Sequence, residues 1–334
     1  MLDEITQPVD LCLPNGTLNP AAVGWTRTPL HRANLHPAPL GPRAATWSRT
    51  KRWEYWGIVT PTHVIALTVS SLNYAALHQV WVLDRATSTE IDQLTVVPLA
   101  RTVQLPETSG VGAVRALTRD LAIAVDPDSG TTRLRAKTPR VRVDLQVDTS
   151  SESLGVVVPW SDRQFQYTVK AVALPVTGRL MIDDVEHVVG EDAWAVLDHG
   201  RGRWPYSMTW NWGAGSGVVE GVRTGLQLGG KWTDGTGSTE NALMLDGRVH
   251  FIGDEVTWEY DHEEFMFPWT VTGERVDVRF LPFHERAATT NLGIVSATTS
   301  QCFGTWRGWM ADDGGTRHSV DGLVGWAEHV HNRW

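Results

Sequence analysis

The stretch Ala242-Leu243-Met244-Leu245-Asp246-Gly247-Arg248-Val249-His250-Phe251 reads as two short strands joined by a tight turn. Asp-Gly between such segments is a strong hairpin signal, because a type I′ turn needs positive φ at both central residues. The same punctuation recurs at Asp184-Val185, Asp234-Gly235-Thr236-Gly237 and Asp313-Gly314-Gly315, so the second half of the chain reads as a series of short strands.

Working outward, Trp53-Glu54-Tyr55-Trp56-Gly57-Ile58-Val59 is aromatic and β-branched, and Pro61 closes it. Val64 to Ser71 and Ala76 to Leu83 read as the next strands, a spacing that suits a meander or barrel. Arg133 to Lys137 and Arg140 to Leu145 alternate polar with apolar residues, so their arginines are assigned to a solvated sheet face. Gly155 to Trp160 and Gln166 to Leu174 read as buried strands, and Val276 to Phe280 as a strand ended by Pro282. Asp192 to Leu197 and Val324 to His331 are the best candidates for short helices, the second being equally readable as a final strand. The expected fold class is therefore all-β: two antiparallel β-barrel or sandwich domains with an extended N-terminal arm. Residues 1–50, rich in Pro, Asn, Gly and Thr, form the arm, with Trp25 and Arg27 as its anchors. Residues 51–175 form the first domain and 176–334 the second, with Pro175 to Gly178 as the boundary and no residue-level repeat between the halves.

The chain has 334 residues and a formal net charge of -9. Such acidity excludes the clustered Lys and Arg that phosphate neutralisation needs, so no nucleic-acid partner is expected. Cys12 and Cys302 are too few to staple a secreted domain and are read as reduced thiols. The segment Met1-Leu2-Asp3-Glu4-Ile5 lacks the basic start and apolar run of a signal peptide, and no run approaches the ~18 apolar residues of a spanning helix. A cytoplasmic location with no transmembrane segment is expected, and oligomeric state is left open.

The outlier is tryptophan, at 17 residues, 11 of them between Trp194 and Trp334. Trp buries a large area and keeps one N–H that wants a partner. Such residues either fill a β core or line a pocket for a hydrophobic ligand. The densest chemistry lies in Asp198-His199-Gly200-Arg201-Gly202-Arg203-Trp204-Pro205-Tyr206 and Trp210-Asn211-Trp212. Aromatic surroundings desolvate a carboxyl and an imidazole, raising the pKa of the first and lowering that of the second, which poises both for proton transfer. The structural alternative pairs Asp198 with Arg201 or Arg203 at a turn. The C-terminal Glu328-His329-Val330-His331 is the partner segment: on a strand, Glu328 shares a face with Val330, and His329 with His331. The His-x-His pair identifies no third ligand, so no metal is assigned. Glu54 and Glu220 stand out as carboxylates inside apolar strands, and Gly213 to Gly217 reads as a flexible or bulged strand start. No Gly-x-Ser-x-Gly elbow, P-loop or dinucleotide fingerprint is present.

Gly24-Trp25-x-Arg27-x-Pro29-Leu30, Lys51 to Trp56, Trp204 to Trp212, Glu240-Asn241-Ala242 and Gly325 to Trp334 with Glu328 resemble the family called domain of unknown function 2804, nearly end to end. More distantly, the chain is similar to the lipocalin-like carotenoid hydratase and AttH group. That resemblance implies two lipocalin-like β domains and a hydrophobic ligand class, and Asp198-His199 looks similar to the Asp-His pair such proteins often carry among aromatics.

The expected activity is that of a cofactor-independent enzyme on an isoprenoid- or polyketide-like molecule, by hydration, isomerisation or cyclisation. Asp198, His199, Glu328 and His329 are the catalytic candidates, and Trp204, Tyr206, Trp210, Asn211, Trp212, Glu54 and Trp56 are the substrate-binding ones. The alternative is a non-catalytic, lipocalin-like binding protein for a lipid-like ligand.

Overall fold

The computed structural model describes residues 2–35, 49–291 and 296–333. Expectations for residues 36–48 of the arm and for Trp334 lie outside them. Among the described residues the only helical element is the 3-10 turn Pro20–Ala22. The other elements are strands, nearly all antiparallel, gathered mainly in a 14-stranded and a 10-stranded sheet. Both helix candidates are strands, Trp194–Arg203 and Val324–Arg333. Their mixed patterns arise because both faces of each strand are covered, so strict alternation is lost.

The two sheets follow one circuit. In the first, Thr50–Val59, His63–Ser71, Ala75–Asp84 and Thr89–Pro98 form a meander, and the last strand of that sheet, Trp194–Arg203, returns to pair with Thr50–Val59. In the second, Ser207–Val219, Val222–Gly230, Asn241–Leu245 and Arg248–Ile252 form the meander, and Val324–Arg333 returns to pair with Ser207–Val219. The hairpin at Asp246-Gly247 forms as expected, with φ of 46 and 85 and Leu245 opposite Arg248. Val276–Asn291 runs on past Pro282, which is accommodated by a register shift opposite Gly304 and Phe303. Glu220 is not inside a strand; it occupies the turn between Val219 and Val222 at a φ of 52.

Each sheet curls over a core of its own. Ile58, Ile65 and Val80 meet Ile123, Leu134 and Val143 inside the first. Leu226, Trp269, Phe280 and Trp306 fill the second. A third core joins the sheets along a seam, where Tyr55, Val64 and Trp81 of the first meet Trp212, Phe303 and Trp326 of the second. Trp81 and Phe303 stack across it at 5.2 Å.

The chain passes from the first sheet to the second between Arg203 and Ser207. The boundary expected at Pro175 to Gly178 falls inside the continuous strand Phe165–Ile182. That strand bulges between Ala171 and Leu174, where Ser216 Oγ of the second sheet accepts from the Ala173 amide at 2.9 Å. A bend, a proline and a glycine mark a change of neighbours there rather than a change of sheet.

The described part of the arm is folded rather than merely extended. Val9–Asp10 pairs with His31–Arg32, and Leu11, Cys12, Ala22 and Ala33 pack against Val157, Phe165, Tyr167 and Val169. Its anchors are the expected ones. Trp25 stacks on Phe251 at 4.7 Å, and Arg27 reaches Glu4, Glu152 and Asp313. Both cysteines are free and buried. No helix among the described residues is long and apolar enough to cross a membrane.

Candidate functional site

Alternation along a strand sorts the candidate residues. Asp198 and His199 are neighbours on Trp194–Arg203 and so point to opposite faces. Asp198 enters the seam between the sheets, and His199 enters the interior of the first sheet.

In the seam, Asp198 Oδ1 accepts from Lys170 Nζ at 3.0 Å and Thr168 Oγ1 at 3.2 Å, and Oδ2 from Trp53 Nε1 at 2.9 Å. Lys170 Nζ also lies 3.4 Å from Glu240 Oε2 and 4.1 Å from the centroid of the Trp212 ring. Burial alone would lower the Lys170 pKa, but Asp198 and Glu240 outweigh it and raise it above the ordinary value. From the second sheet, Glu328 accepts from Trp210 Nε1 at 3.0 Å and from Gln301 Nε2 at 3.0 Å. Burial pushes Glu328 up to about 7, with Trp210 and Lys170 offsetting only part of it. Burial likewise pushes Glu240 up to about 7 against the pull of Lys170. Asp198 and Glu328 keep 8% and 7% exposure.

Indoles wall this cluster. Trp204 stacks on Trp232 at 5.5 Å and meets Trp53, Trp160 and Trp210 edge-on at 5.5, 5.1 and 5.6 Å. Its Nε1 is satisfied by Gln166 Oε1 at 2.7 Å. The glycines beside Asp198 make the packing possible. A Cβ on Gly200 would lie 2.1 Å from the Trp53 ring, so only glycine lets that indole lie flat across the strand and reach Asp198. The backbone at these glycines is a regular strand. Gly213 and Gly215 likewise sit in mid-strand, where a Cβ would come within 2.9 and 2.7 Å of Trp306.

The remaining candidates fall elsewhere. His199 Nδ1 pairs with Glu54 Oε2 at 2.9 Å, and Arg201 stands 3.7 Å from the same oxygen. Burial would raise Glu54, but His199 and Arg201 bring it below its ordinary value. Burial, then Arg201, lowers His199. Trp56 lies in the first sheet's inner core. His329 and Asn211 face the interior of the second sheet, where both bond to the Tyr260 hydroxyl, at 2.8 and 3.0 Å. Lys231 Nζ lies 2.7 Å from the same hydroxyl. Burial, Lys231 and His262 lower His329 to about 4. His331 bonds to Thr209 at 2.7 Å, and no group of three or more metal-ligating side chains occurs among the described residues. Tyr206 is exposed, with Arg49 and Arg333 over its ring at 5.4 and 6.0 Å. The seam thus brings together Asp198, Glu328, Trp204, Trp210 and Trp212, and excludes His199, His329, Asn211, Glu54, Trp56 and Tyr206.

Sequence reasoning missed Lys170, Glu240, Gln301 and Trp53 as site residues. One signal was available: Lys170 is one of only four lysines and interrupts an apolar strand. A separate cleft of about 840 Å³ opens between arm and second sheet. Its arginines are engaged, Arg27 with Glu152 and Arg275 with Asp254, at 3.4 and 3.7 Å.

Comparison with solved structures shows the same fold in proteins of low identity. A candidate AttH from Nitrosomonas europaea is 14% identical with a TM-score of 0.55, covering 84% of this chain and 92% of that one. CghA with Sch210972 is 13% identical with a TM-score of 0.52, covering 85% and 88%. Kievitone hydratase from Nectria haematococca is 8% identical with a TM-score of 0.53, covering 85% and 88%. A comparison with curated proteins returns no match. The sequence pattern described as Domain of unknown function (DUF2804) matches residues 2–334, and the chain belongs to that family.

Proposed function

We propose that this chain is an acid–base enzyme that hydrates, isomerises or cyclises a hydrophobic small molecule without a redox cofactor. The observation that carries the reading is the seam itself: Glu328, raised to about 7, lies within electrostatic reach of the Lys170–Asp198 pair inside a wall of indoles. A carboxyl with a pKa near neutrality is matched to proton transfer at neutral pH. In this scheme Glu328 gives its proton to one carbon of an alkene and becomes a carboxylate. The cation left on the neighbouring carbon faces Trp204, Trp210 and Trp212, each favourable contact contributing ~0.5–2 kcal/mol. Addition of water, or loss of a neighbouring proton, then returns a proton to Glu328. Asp198, whose oxygens already accept from three donors, serves as the fixed anion opposite that cation rather than as the acid. Two fold neighbours lend support by name, one being a hydratase and the other recorded with the small molecule Sch210972.

The test begins with native mass spectrometry of protein from its own host, which identifies a co-purified ligand. Turnover of that ligand is then measured in Glu328→Gln and Asp198→Asn, with circular dichroism to verify the fold. A loss of ~10²–10⁴-fold in Glu328→Gln is expected. Full turnover in both folded variants overturns the scheme. A specific observation favours a second reading, a lipid-like binding protein: every carboxylate in the seam already has a partner, Lys170 being shared by Asp198 and Glu240. Recovery of the ligand unchanged from both native protein and Glu328→Gln would select it.

A further inference from the structure

The two sheets carry one arrangement at equivalent rungs. In the first, Asp198 stands between Tyr55 and Lys170, His199 opposes Glu54 and Gly200 opposes Trp53. In the second, Glu328 stands between Trp212 and Gln301, His329 opposes Asn211 and Val330 opposes Trp210. In both, an indole two residues before the acid's cross-strand neighbour donates to the acid, at 2.9 Å from Trp53 and 3.0 Å from Trp210. The segments Asp198-His199-Gly200-Arg201-Gly202-Arg203-Trp204 and Glu328-His329-Val330-His331-Asn332-Arg333-Trp334 align without a gap in acid, His, Arg and Trp. The sequence alone suggested no such repeat, and the pairing register brings it out. Two acids of equal burial therefore enter one seam from matched positions.

The acids' cross-strand neighbours differ in charge only on the third strand, where Lys170 stands beside Asp198 and Gln301 beside Glu328. We propose that this exchange is the positioning device that makes the duplicated seam asymmetric. Lys170 supplies a full positive charge to Asp198. Gln301 supplies only an amide dipole, so Glu328 keeps a transferable proton near neutral pH. Gln301 is itself oriented, since its Oε1 accepts from Arg286 at 3.4 Å and this turns its Nε2 toward Glu328 Oε2. The charged groups acting on Glu328 are Lys170, Asp198 and Arg286, and the last two have opposite effects. A cation beside one carboxyl and an uncharged amide beside the other divide the roles of fixed anion and proton donor between them. The inference rests on the proposed acid–base reading for its catalytic consequence alone; the protonation of Glu328 is measured without substrate.

Infrared difference spectroscopy across a pH titration tests it, reading the carbonyl stretch of a protonated carboxylic acid. The native protein should show such a band titrating near neutral pH. Glu328→Gln removes its share, which separates it from that of Glu240. Gln301→Met, neutral like Gln301, keeps the band. Gln301→Lys lowers its midpoint by more than about one pH unit, the effect of an opposite charge at hydrogen-bond distance. An unshifted midpoint in folded Gln301→Lys overturns the proposal, as does a native protein with no Glu328-dependent band. Should Gln301→Lys fail to fold, Lys170→Gln gives the converse test: a second titrating band, lost on adding Asp198→Asn, is expected, and its absence counts against the proposal. A correct titration with no ligand turnover would remove the proposed function and leave this inference standing.

Discussion

At Glu328 the cost of burying a charge outweighs the partners on offer, and the carboxyl moves from its ordinary 4.5 up to about 7. The folded state then holds the proton more tightly than the unfolded chain does. Its stabilising contribution is complete below pH 4.5 and is lost as the pH rises through about 7. Glu240 acts with the same sign. Thermal stability should therefore fall across that window, and Glu328→Gln should flatten the fall; melting temperature against pH measures it, and an unchanged slope in the variant contradicts the account. At this scale the sequence was half legible. Asp198 and Glu328 were visible as carboxyls among tryptophans. The assignment of His199 and His329 to the same site failed because a strand sends neighbours to opposite faces. Lys170 and Gln301 were hidden because each is brought to its acid by pairing across roughly thirty positions of chain, in a register the local pattern does not specify.

The strands themselves owe their packing to glycine as much as to tryptophan. Gly200 leaves room for the Trp53 ring, as Gly213 and Gly215 do for Trp306. A methyl at Gly200 meets ring carbons at 2.1 and 2.2 Å, and the ring is pinned by its bond to Asp198. Gly200→Ala should destabilise the fold by about 1–3 kcal/mol, the usual cost of overpacking, as read by denaturant unfolding. A stability equal to native would show that Trp53 moves aside freely. Most strands were legible from β-branched runs and turn residues, including the Asp246-Gly247 hairpin. Trp194–Arg203 and Val324–Arg333 were ambiguous because cores cover both of their faces. The bulges at Ala171 and Pro282 were not legible, since each depends on what the strand meets in three dimensions.

Over the whole molecule, an all-β chain of two related halves was legible, but the point of change was not. It lies at Trp204–Tyr206, where no composition shift marks it, because the strands on either side both feed the seam. The arm ties the halves together through Trp25 on Phe251 and Arg27 on Glu152 and Asp313. Trp25→Ala should cost about 3–5 kcal/mol and expose the arm to limited proteolysis before the sheets unfold; equal cleavage rates in variant and native protein would show that the arm is held by other contacts. The circuit shared by the sheets also fixes how the molecule bears load. Thr50 lies opposite Arg203, and Ser207 opposite Arg333, so from Thr50 onward the strand circuit of each sheet begins and ends on one terminal rung. Tension drawn through either pair of ends peels the rungs apart singly, as in a zipper, instead of shearing a whole strand at once. All four ends gather near Tyr206, between Arg49 and Arg333.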